Sequence, residues 1–195
     1  NFRLNNQFYK YVFKKNDGEY QRLGDIFKNT KNNSLSGSIN RNFALLGDPS
    51  MKLAYPNYSV NTETIDTLKA LGKVIIKGQI YDYNENIIDD FNGDLFVDVF
   101  DKIVSKQTLG DESDPFTFYE WENKIFRGFS EVKNGNFSFE FVVPKNIEYK
   151  YGTGRMIFFA TDTTSFLDAS SSNDFIIGGT SDDFDDDTTP PTIDI

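Results

Sequence analysis

The chain has 195 residues, including 20 Phe, 10 Tyr and 1 Trp, and a formal net charge of −10. It contains no cysteine and no histidine, which excludes from these residues a disulfide, a thiolate nucleophile, an imidazole base and an imidazole metal ligand. The Ser-His-Asp and Cys-His arrangements of many hydrolases are excluded as well, and the many aromatic residues indicate a packed domain rather than a disordered chain.

Apolar residues at helical spacing predict two helices near the start of the chain. The apolar stripe of the first helix consists of Leu4, Phe8, Tyr11 and Val12. Asn16-Asp17-Gly18 breaks this pattern, and Asp17 is placed to cap a second helix. The buried side of that second helix is predicted to consist of Tyr20, Leu23, Ile26 and Phe27.

A short apolar run at 43–46, followed by Gly47-Asp48-Pro49, predicts a buried strand and a turn. We predict that Asp48 closes the turn with Pro49 at its first corner, although a carboxylate after a buried strand could also be functional. One or two strands cannot form a sheet without partners. We therefore interpret residues 1–56 as the C-terminal end of an α/β domain that continues upstream, and predict a second short strand near Met51.

Alternating apolar and polar residues replace the helical spacing after about residue 57. The predicted strands cover residues 73–81, 94–101, 124–132, 136–143, 155–160 and 174–177. Asn134-Gly135 lies between two alternating runs and predicts a tight hairpin. Phe137, Phe139 and Phe141 should then share one face of its second strand.

Six or seven short strands predict a mainly β chain, with an immunoglobulin-like antiparallel β-sandwich over residues 57–180. The Cys…Trp…Cys pattern of true immunoglobulins is absent, so only the architecture is predicted. Residues 65–71 fit either a helical turn or an irregular first strand. Residues 181–195 are acidic, contain Pro190-Pro191, and predict a linker to a further domain.

The charge is unevenly distributed, with a net +5 over residues 1–56, −9 over 57–178 and −6 over 179–195. The basic residues of the first piece are scattered and form no stripe, so we predict no nucleic-acid binding. No window approaches 18 consecutive apolar residues, so we predict no membrane-spanning helix.

The acidic run near the end is the one candidate for a metal site, because calcium prefers carboxylate oxygens. Its members are Asp182, Asp183, Asp185, Asp186 and Asp187. The run lacks the spacing of an EF-hand loop, and a solvated, self-repelling linker is the favoured interpretation.

Three other features of the sequence are candidates for functional sites. Tyr119, Trp121 and Phe118 lie in a loop-like stretch after Pro115 and could bind a sugar, or simply cover an edge of the sheet or dock on a neighbouring domain. Glu120 and Glu122 would share a face as a carboxylate pair, although 30 acidic residues make such pairs common by chance. Residues 152–154 (Gly-Thr-Gly) lack the Gly-Lys-Ser/Thr of a phosphate loop. We predict no catalytic residue and no cofactor.

Residues 42–56, NFALLGDPSMKLAYP, resemble the closing segment of the gingipain-type cysteine peptidase domain. Residues 8–13 and 22–25 resemble the last helices of that domain. Downstream stretches resemble the PorU-type sortases of the type IX secretion system, at 67–74, 77–80, 91–95, 99–102, 134–139, 141–145 and 151–155. The resemblance covers most of residues 1–180.

The resemblance implies a cell-surface peptidase of Bacteroidetes-type bacteria that removes C-terminal signal domains from secreted cargo. It also implies a caspase-like catalytic domain with a Cys nucleophile beside a His. Since this chain has neither residue, both should lie upstream, and this fragment alone should be inactive. The implied partners are the upstream catalytic half, other surface proteins of the secretion system, and the cargo.

Two other functions remain open on the sequence. One is a surface adhesion or scaffold module whose peptidase-like start has no active parent. The other is a sugar-binding β-sandwich that uses Tyr119 and Trp121. The upstream coding sequence would separate the first of these from a peptidase fragment.

Overall fold

The computed structural model describes residues 2–34, 36–37, 40, 42–111 and 114–182. The chain divides into two compact units, Asn1–Tyr55 and Pro56–Ile195, which we call the helical unit and the β unit. None of the helices in the described residues is long and apolar enough to cross a membrane.

In the part of the helical unit that the structure describes, there are two α-helices, α1 (Phe2–Val12) and α2 (Leu23–Ser34). Both predicted helices are therefore confirmed. Leu4 and Val12 of α1 are buried, as the spacing of its apolar residues predicts, and Ile26 of α2 is fully buried.

The predicted helix cap at Asp17 is wrong, because the residue lies in a hairpin turn. Asp17 and Gly18 have φ values of 51° and 83° and join two short strands, β1 (Lys15–Asn16) and β2 (Glu19–Tyr20). Positive φ at both central residues defines the type I′ turn that Asp-Gly favours. The chain then continues for two residues before α2 begins.

The predicted buried strand at 43–46 and the short strand near Met51 are also wrong. Residues 43–46 form no helix or strand, and Leu46 is 95% exposed. A strand needs a neighbour for its backbone groups, and the described part of this unit offers none to this segment. Instead, the carbonyls of Pro49 and Met51 accept hydrogen bonds from the first N–H groups of α2, on Gly24 at 2.9 Å and Leu23 at 2.8 Å.

The described residues of the β unit form ten strands. They are β3 (Ser59–Thr62), β4 (Leu68–Ala70), β5 (Lys73–Tyr81), β6 (Gly93–Phe100), β7 (Val104–Gln107), β8 (Thr117–Glu120), β9 (Lys124–Lys133), β10 (Asn136–Val142), β11 (Gly152–Asp162) and β12 (Leu167–Thr180). All six predicted strands are present, as β5, β6 and β9–β12. The ambiguous segment 65–71 contains strand β4.

The mainly β class is confirmed, but the two facing sheets of an immunoglobulin-like sandwich are not. Eight strands form one curled sheet in the order β3-β5-β10-β9-β6-β11-β12-β4. Strands β9 and β10 are paired at only two positions beside their turn. Tyr58, directly before the edge strand β3, forms a parallel bridge with Ala169 of β12. The curl of the sheet therefore brings the start of β3 back to β12.

The core lies inside this curl. Leu95, Val97 and Val99 of β6 are buried, as their alternation predicts. Phe158 of β11 is fully buried, with its ring centroid 6.4 Å from that of Phe137 on β10. The predicted hairpin turn is confirmed: Asn134 and Gly135 have φ values of 48° and 71°.

Candidate functional site

The outer face of the sheet carries three phenylalanines side by side on β9, β6 and β11. Phe96 is the direct cross-strand partner of both Phe129 and Phe159. Their exposed fractions are 76% for Phe129, 48% for Phe96 and 41% for Phe159. Because side chains alternate along a strand, burying Leu95 inside places Phe96 outside. We call these three residues the aromatic row.

Beside the aromatic row lies a shallow depression of about 330 Å³ with a charged side. Phe96, Phe159 and Ile157 supply apolar walls, and Asp98 and Arg127 supply the polar side. Surfaces that combine an apolar floor with a few fixed polar groups are typical of binding sites.

The charges at this depression are held in place. Arg127 donates two hydrogen bonds to the Asp98 carboxylate, from Nε at 2.7 Å and Nη2 at 2.9 Å, and Lys124 Nζ lies 2.9 Å from the same group. These bonds, Arg127 foremost, lower the pKa of Asp98 to about 2 against the opposing effect of burial. A carboxylate with both oxygens engaged by cations is a poor general base, so the depression is suited to binding.

Strands β7 and β8 form a separate two-stranded sheet. Of the two candidates for sugar binding, Tyr119 lies in β8 and Trp121 directly follows it. Tyr119 is 66% exposed, but Trp121 is partly buried. The Arg155 guanidinium lies 3.8 Å from the centroid of the Trp121 ring, and Asp174 fixes it with two hydrogen bonds of 2.7 and 3.1 Å. One face of the indole is therefore already occupied by a cation.

The acidic pair Glu120 and Glu122 does not form a catalytic dyad. Both carboxylates bind the ammonium group of Lys106, at 2.5 and 2.8 Å. The hydrogen bond that Lys106 donates to Glu120 is the main reason that the pKa of Lys106 is raised. The geometry is that of an ion-pair bridge across β7 and β8.

Gly47-Asp48-Pro49 forms a turn in the helical unit. Asp48 Oδ1 accepts hydrogen bonds from the backbone N–H of Ser50 at 2.8 Å and from its hydroxyl at 2.7 Å. The hydroxyl bond in particular lowers the pKa of Asp48. The backbone N–H of Met51 also donates to the Asp48 carbonyl, at 3.3 Å. The carboxylate thus stabilises its own turn.

The calcium candidates contribute little to a site that can be described. Asp182 is described, whereas Asp183, Asp185, Asp186 and Asp187 lie outside the described residues. Among residues that the structure does describe, no cluster of three or more acidic side chains could hold a metal ion. The Gly-Thr-Gly segment 152–154 lies within strand β11.

The aromatic row is the feature that the sequence analysis did not identify. A signal is present in the sequence, because Leu95, Val97 and Val99 alternate along β6 and Phe96 lies between the first two. What the sequence does not contain is the register that aligns residues 96, 129 and 159 across three strands.

Comparison with known proteins supports the predicted resemblance. Residues 1–54 match the family model of peptidase family C25. The crystal structure of dimeric latent PorU from Porphyromonas gingivalis matches with 27% identity and a TM-score of 0.58, over 89% of this chain. The resemblance to a PorU-like, gingipain-type peptidase is thereby confirmed. This chain spans 18% of the length of that PorU chain.

Two further structures are more distant. A conjugative transposon lipoprotein from Bacteroides eggerthii has 16% identity, a TM-score of 0.31, and coverage of 61% of this chain and 96% of its own. A PapD-like domain of human CEP192 has 10% identity, a TM-score of 0.30, and coverage of 70% and 94%, respectively. The search of curated proteins gave no match.

Proposed function

We propose that this chain is a non-catalytic part of a cell-surface cysteine peptidase of the sortase type. The observation that carries the proposal is the combination of a peptidase C25 match over residues 1–54 with the complete absence of Cys and His. Similarity to PorU extends across 89% of the chain, which supports a helical unit and a β unit that belong to one larger enzyme. The nucleophile and its base are then supplied by another part of that protein.

The substrates follow from the same resemblance and are part of the proposal. The parent protein would remove C-terminal signal domains from cargo of the type IX secretion system at the surface of a Bacteroidetes-type bacterium. Its partners would be the cargo and other surface proteins of that system.

The β unit would brace the peptidase domain and supply contact surfaces. Residues 43–60 contain Pro49 and Pro56 and no flexible Gly/Ser linker, which restricts the conformations of the junction. The aromatic row supports the contact role, because exposed apolar patches on soluble proteins commonly mark interaction sites.

Peptidase assays on a peptide from a cargo signal domain test the proposal. The longer protein that includes this chain should cleave the peptide, replacement of its upstream Cys should abolish cleavage, and this chain alone should show no turnover. Turnover by the isolated chain would overturn the proposal, as would a longer protein without a Cys and a His.

Limited proteolysis of the longer protein tests the bracing role separately. We expect residues 49–60 to resist cleavage as well as the sheet strands do, since a rigid junction seldom fits a protease active site. Rapid cleavage there would show that the β unit is a loosely tethered module.

A surface adhesion or scaffold role is the second candidate, and the aromatic row favours it. In that case the longer protein would lack the catalytic Cys and His, and Phe129→Asp would reduce its adhesion to cells. Tyr83→Asp is the matched control, because Tyr83 is 86% exposed and lies in the loop after β5.

A further inference from the structure

The two-stranded sheet β7–β8, which we call the ribbon, has open edges. In the described residues, β7 and β8 pair only with each other, whereas the other eight strands of the β unit share one sheet. Each strand is four residues long. Isolated two-stranded ribbons are only marginally stable in water, and a third strand stabilises them.

The hydrogen-bonding register shows which backbone groups face outward. Thr108 N–H donates to the Phe116 carbonyl at 3.0 Å, so these two residues form a hydrogen-bonded pair. Lys106 and Phe118, which face each other two positions further along the strands, then form a hydrogen-bonded pair as well. Along two antiparallel strands, hydrogen-bonded residue pairs alternate with pairs that are not hydrogen-bonded to each other. The N–H and C=O groups of Thr117 and Tyr119 therefore point away from β7, toward a position where another strand would lie.

The outer edge of β8 carries neither of two residue types that commonly protect an edge strand. Its sequence, Thr-Phe-Tyr-Glu, contains no Lys and no Pro. Tyr119 on this edge is 66% exposed and offers a flat apolar surface with a hydroxyl.

The ribbon also carries a surplus of negative charge. Among the described residues of the ribbon and of the segments directly beside its strands, 103–111 and 114–122, four are acidic and one is basic. The acidic residues are Asp111, Asp114, Glu120 and Glu122. The single cation, Lys106, is already bound to two of them.

Cations at the base of the ribbon do not offset this surplus, because each is already paired with an acid outside the ribbon. Lys102 binds Asp101 at 2.7 Å, and Lys124 binds Asp98 at 2.9 Å. An approaching partner therefore meets a region with a net negative charge, and complementary charge favours a basic partner.

We propose that β8 binds an extended, lysine- or arginine-rich segment of a partner polypeptide by strand addition. The partner's backbone would exchange hydrogen bonds with Thr117 and Tyr119, and one of its apolar side chains would pack on the Tyr119 ring. Its basic side chains would face Asp111 and Asp114. This site is independent of the aromatic row and of the peptidase assignment.

The test uses the full 195-residue chain, labelled with ¹⁵N, and two blocked octapeptides as probes. One peptide alternates Lys and Val and the other alternates Glu and Val. The Lys-Val peptide should bind saturably, shift the amide signals of Thr117 and Tyr119 and slow their exchange with solvent. The Glu-Val peptide should not bind. Failure of the Lys-Val peptide to bind at millimolar concentration, or equal binding of both peptides, would overturn the proposal.

Proline substitution at the two edges provides a matched pair. Thr117→Pro removes an outward N–H that the β7–β8 backbone pairing does not use, and also the hydrogen bond that Gln107 Nε2 donates to the Thr117 hydroxyl at 3.1 Å. It should weaken binding by about tenfold, the loss expected for a hydrogen bond together with steric exclusion of the partner. Ser105→Pro makes the same change on the outer edge of β7 and should leave binding unchanged. Weaker binding by the Ser105→Pro variant, together with unchanged binding by the Thr117→Pro variant, would place the site on the edge of β7 and contradict the proposal.

Two aspartate substitutions and the salt dependence of binding test the contribution of charge. Asp111→Asn combined with Asp114→Asn should weaken binding several-fold and flatten its dependence on salt, because screened Coulomb attraction is lost. Binding that is insensitive both to these changes and to salt would refute the choice of a basic partner. Amide signals outside the ribbon should stay in place in every variant, which verifies the fold.

Discussion

Asp98→Asn should destabilise the β unit by about 1–2 kcal/mol at neutral pH, and the loss should shrink in acid. The pKa of Asp98 is lowered from 3.8 to about 2, chiefly by hydrogen bonds from Arg127. That difference corresponds to at most about 2.4 kcal/mol at 1.36 kcal/mol per pKa unit. Because the Arg127 side chain is 70% exposed, solvent screening reduces the realised value toward ~1 kcal/mol.

The pH dependence follows from the direction of the shift. The folded protein holds the Asp98 carboxylate at a lower pKa than the unfolded chain does, so the unfolded chain binds more protons between about pH 4 and pH 2. The stabilisation that the Asp98 carboxylate contributes is therefore complete above pH 5, falls to about half near pH 3, and is lost below pH 2. Asparagine cannot titrate, so the difference between the variant and the original chain should follow this curve.

Urea unfolding followed by tryptophan fluorescence measures the effect, because Trp121 is the single tryptophan of the sequence and lies in the β unit. Asp94→Asn is the control: Asp94 lies four residues earlier on the same face of β6 and has no ion pair in the described part of the chain. Its substitution should change the free energy of unfolding by less than about 0.5 kcal/mol. A loss at Asp98 that stays constant from pH 7 to pH 3, or an equal loss at Asp94, would refute the reasoning.

Phe158→Ala should cost about 3–5 kcal/mol in urea unfolding, because the ring is fully buried. Phe129→Ala should change stability by less than about 0.5 kcal/mol, and equal losses would contradict the assigned faces of the sheet. Gly135→Ala should cost about 1–3 kcal/mol by the same assay, since its φ of 71° strains any side chain, and a neutral result would argue against the type I′ turn. Arg155→Met should change the emission spectrum of Trp121, because it removes the guanidinium stacked on the indole; an unchanged spectrum would contradict that contact.

The hairpins show where local sequence is sufficient and where it is ambiguous. Asn134-Gly135 lies between two alternating runs, so turn chemistry and strand pattern agree, and the prediction is confirmed. Asp17-Gly18 carries the same turn signal, but it follows one helix and precedes another, where Asp also favours a helix cap. The two-residue strands on either side are too short to show alternation, so the sequence offered no means of choosing the turn.

Long-range contacts explain the other differences between the sequence predictions and the structure. Residues 43–46 have the composition of a buried strand, but a strand forms only if another strand is available, and composition does not reveal that. The sequence left open whether Trp121 binds a sugar, covers a sheet edge or docks on a neighbouring domain, and the residue that it contacts, Arg155, is 34 positions further along the chain. The pairing of β6 with β11 and β9, which no local pattern encodes, determines the outer surface.

The aromatic row is informative because the fold does not require it. Phe96, Phe129 and Phe159 face outward, where polar or β-branched residues would serve the sheet equally well. A shift of one residue in the register of β6 would bury Phe96 and expose Leu95, so the core itself keeps the row at the surface. Three aromatic rings held in register beside a fixed ion pair support the proposed contact role of the β unit, because exposed apolar patches commonly mark interaction sites. Such a surface is what a β unit needs if it is to brace one part of a larger enzyme, and it does not depend on the catalytic residues that this chain lacks.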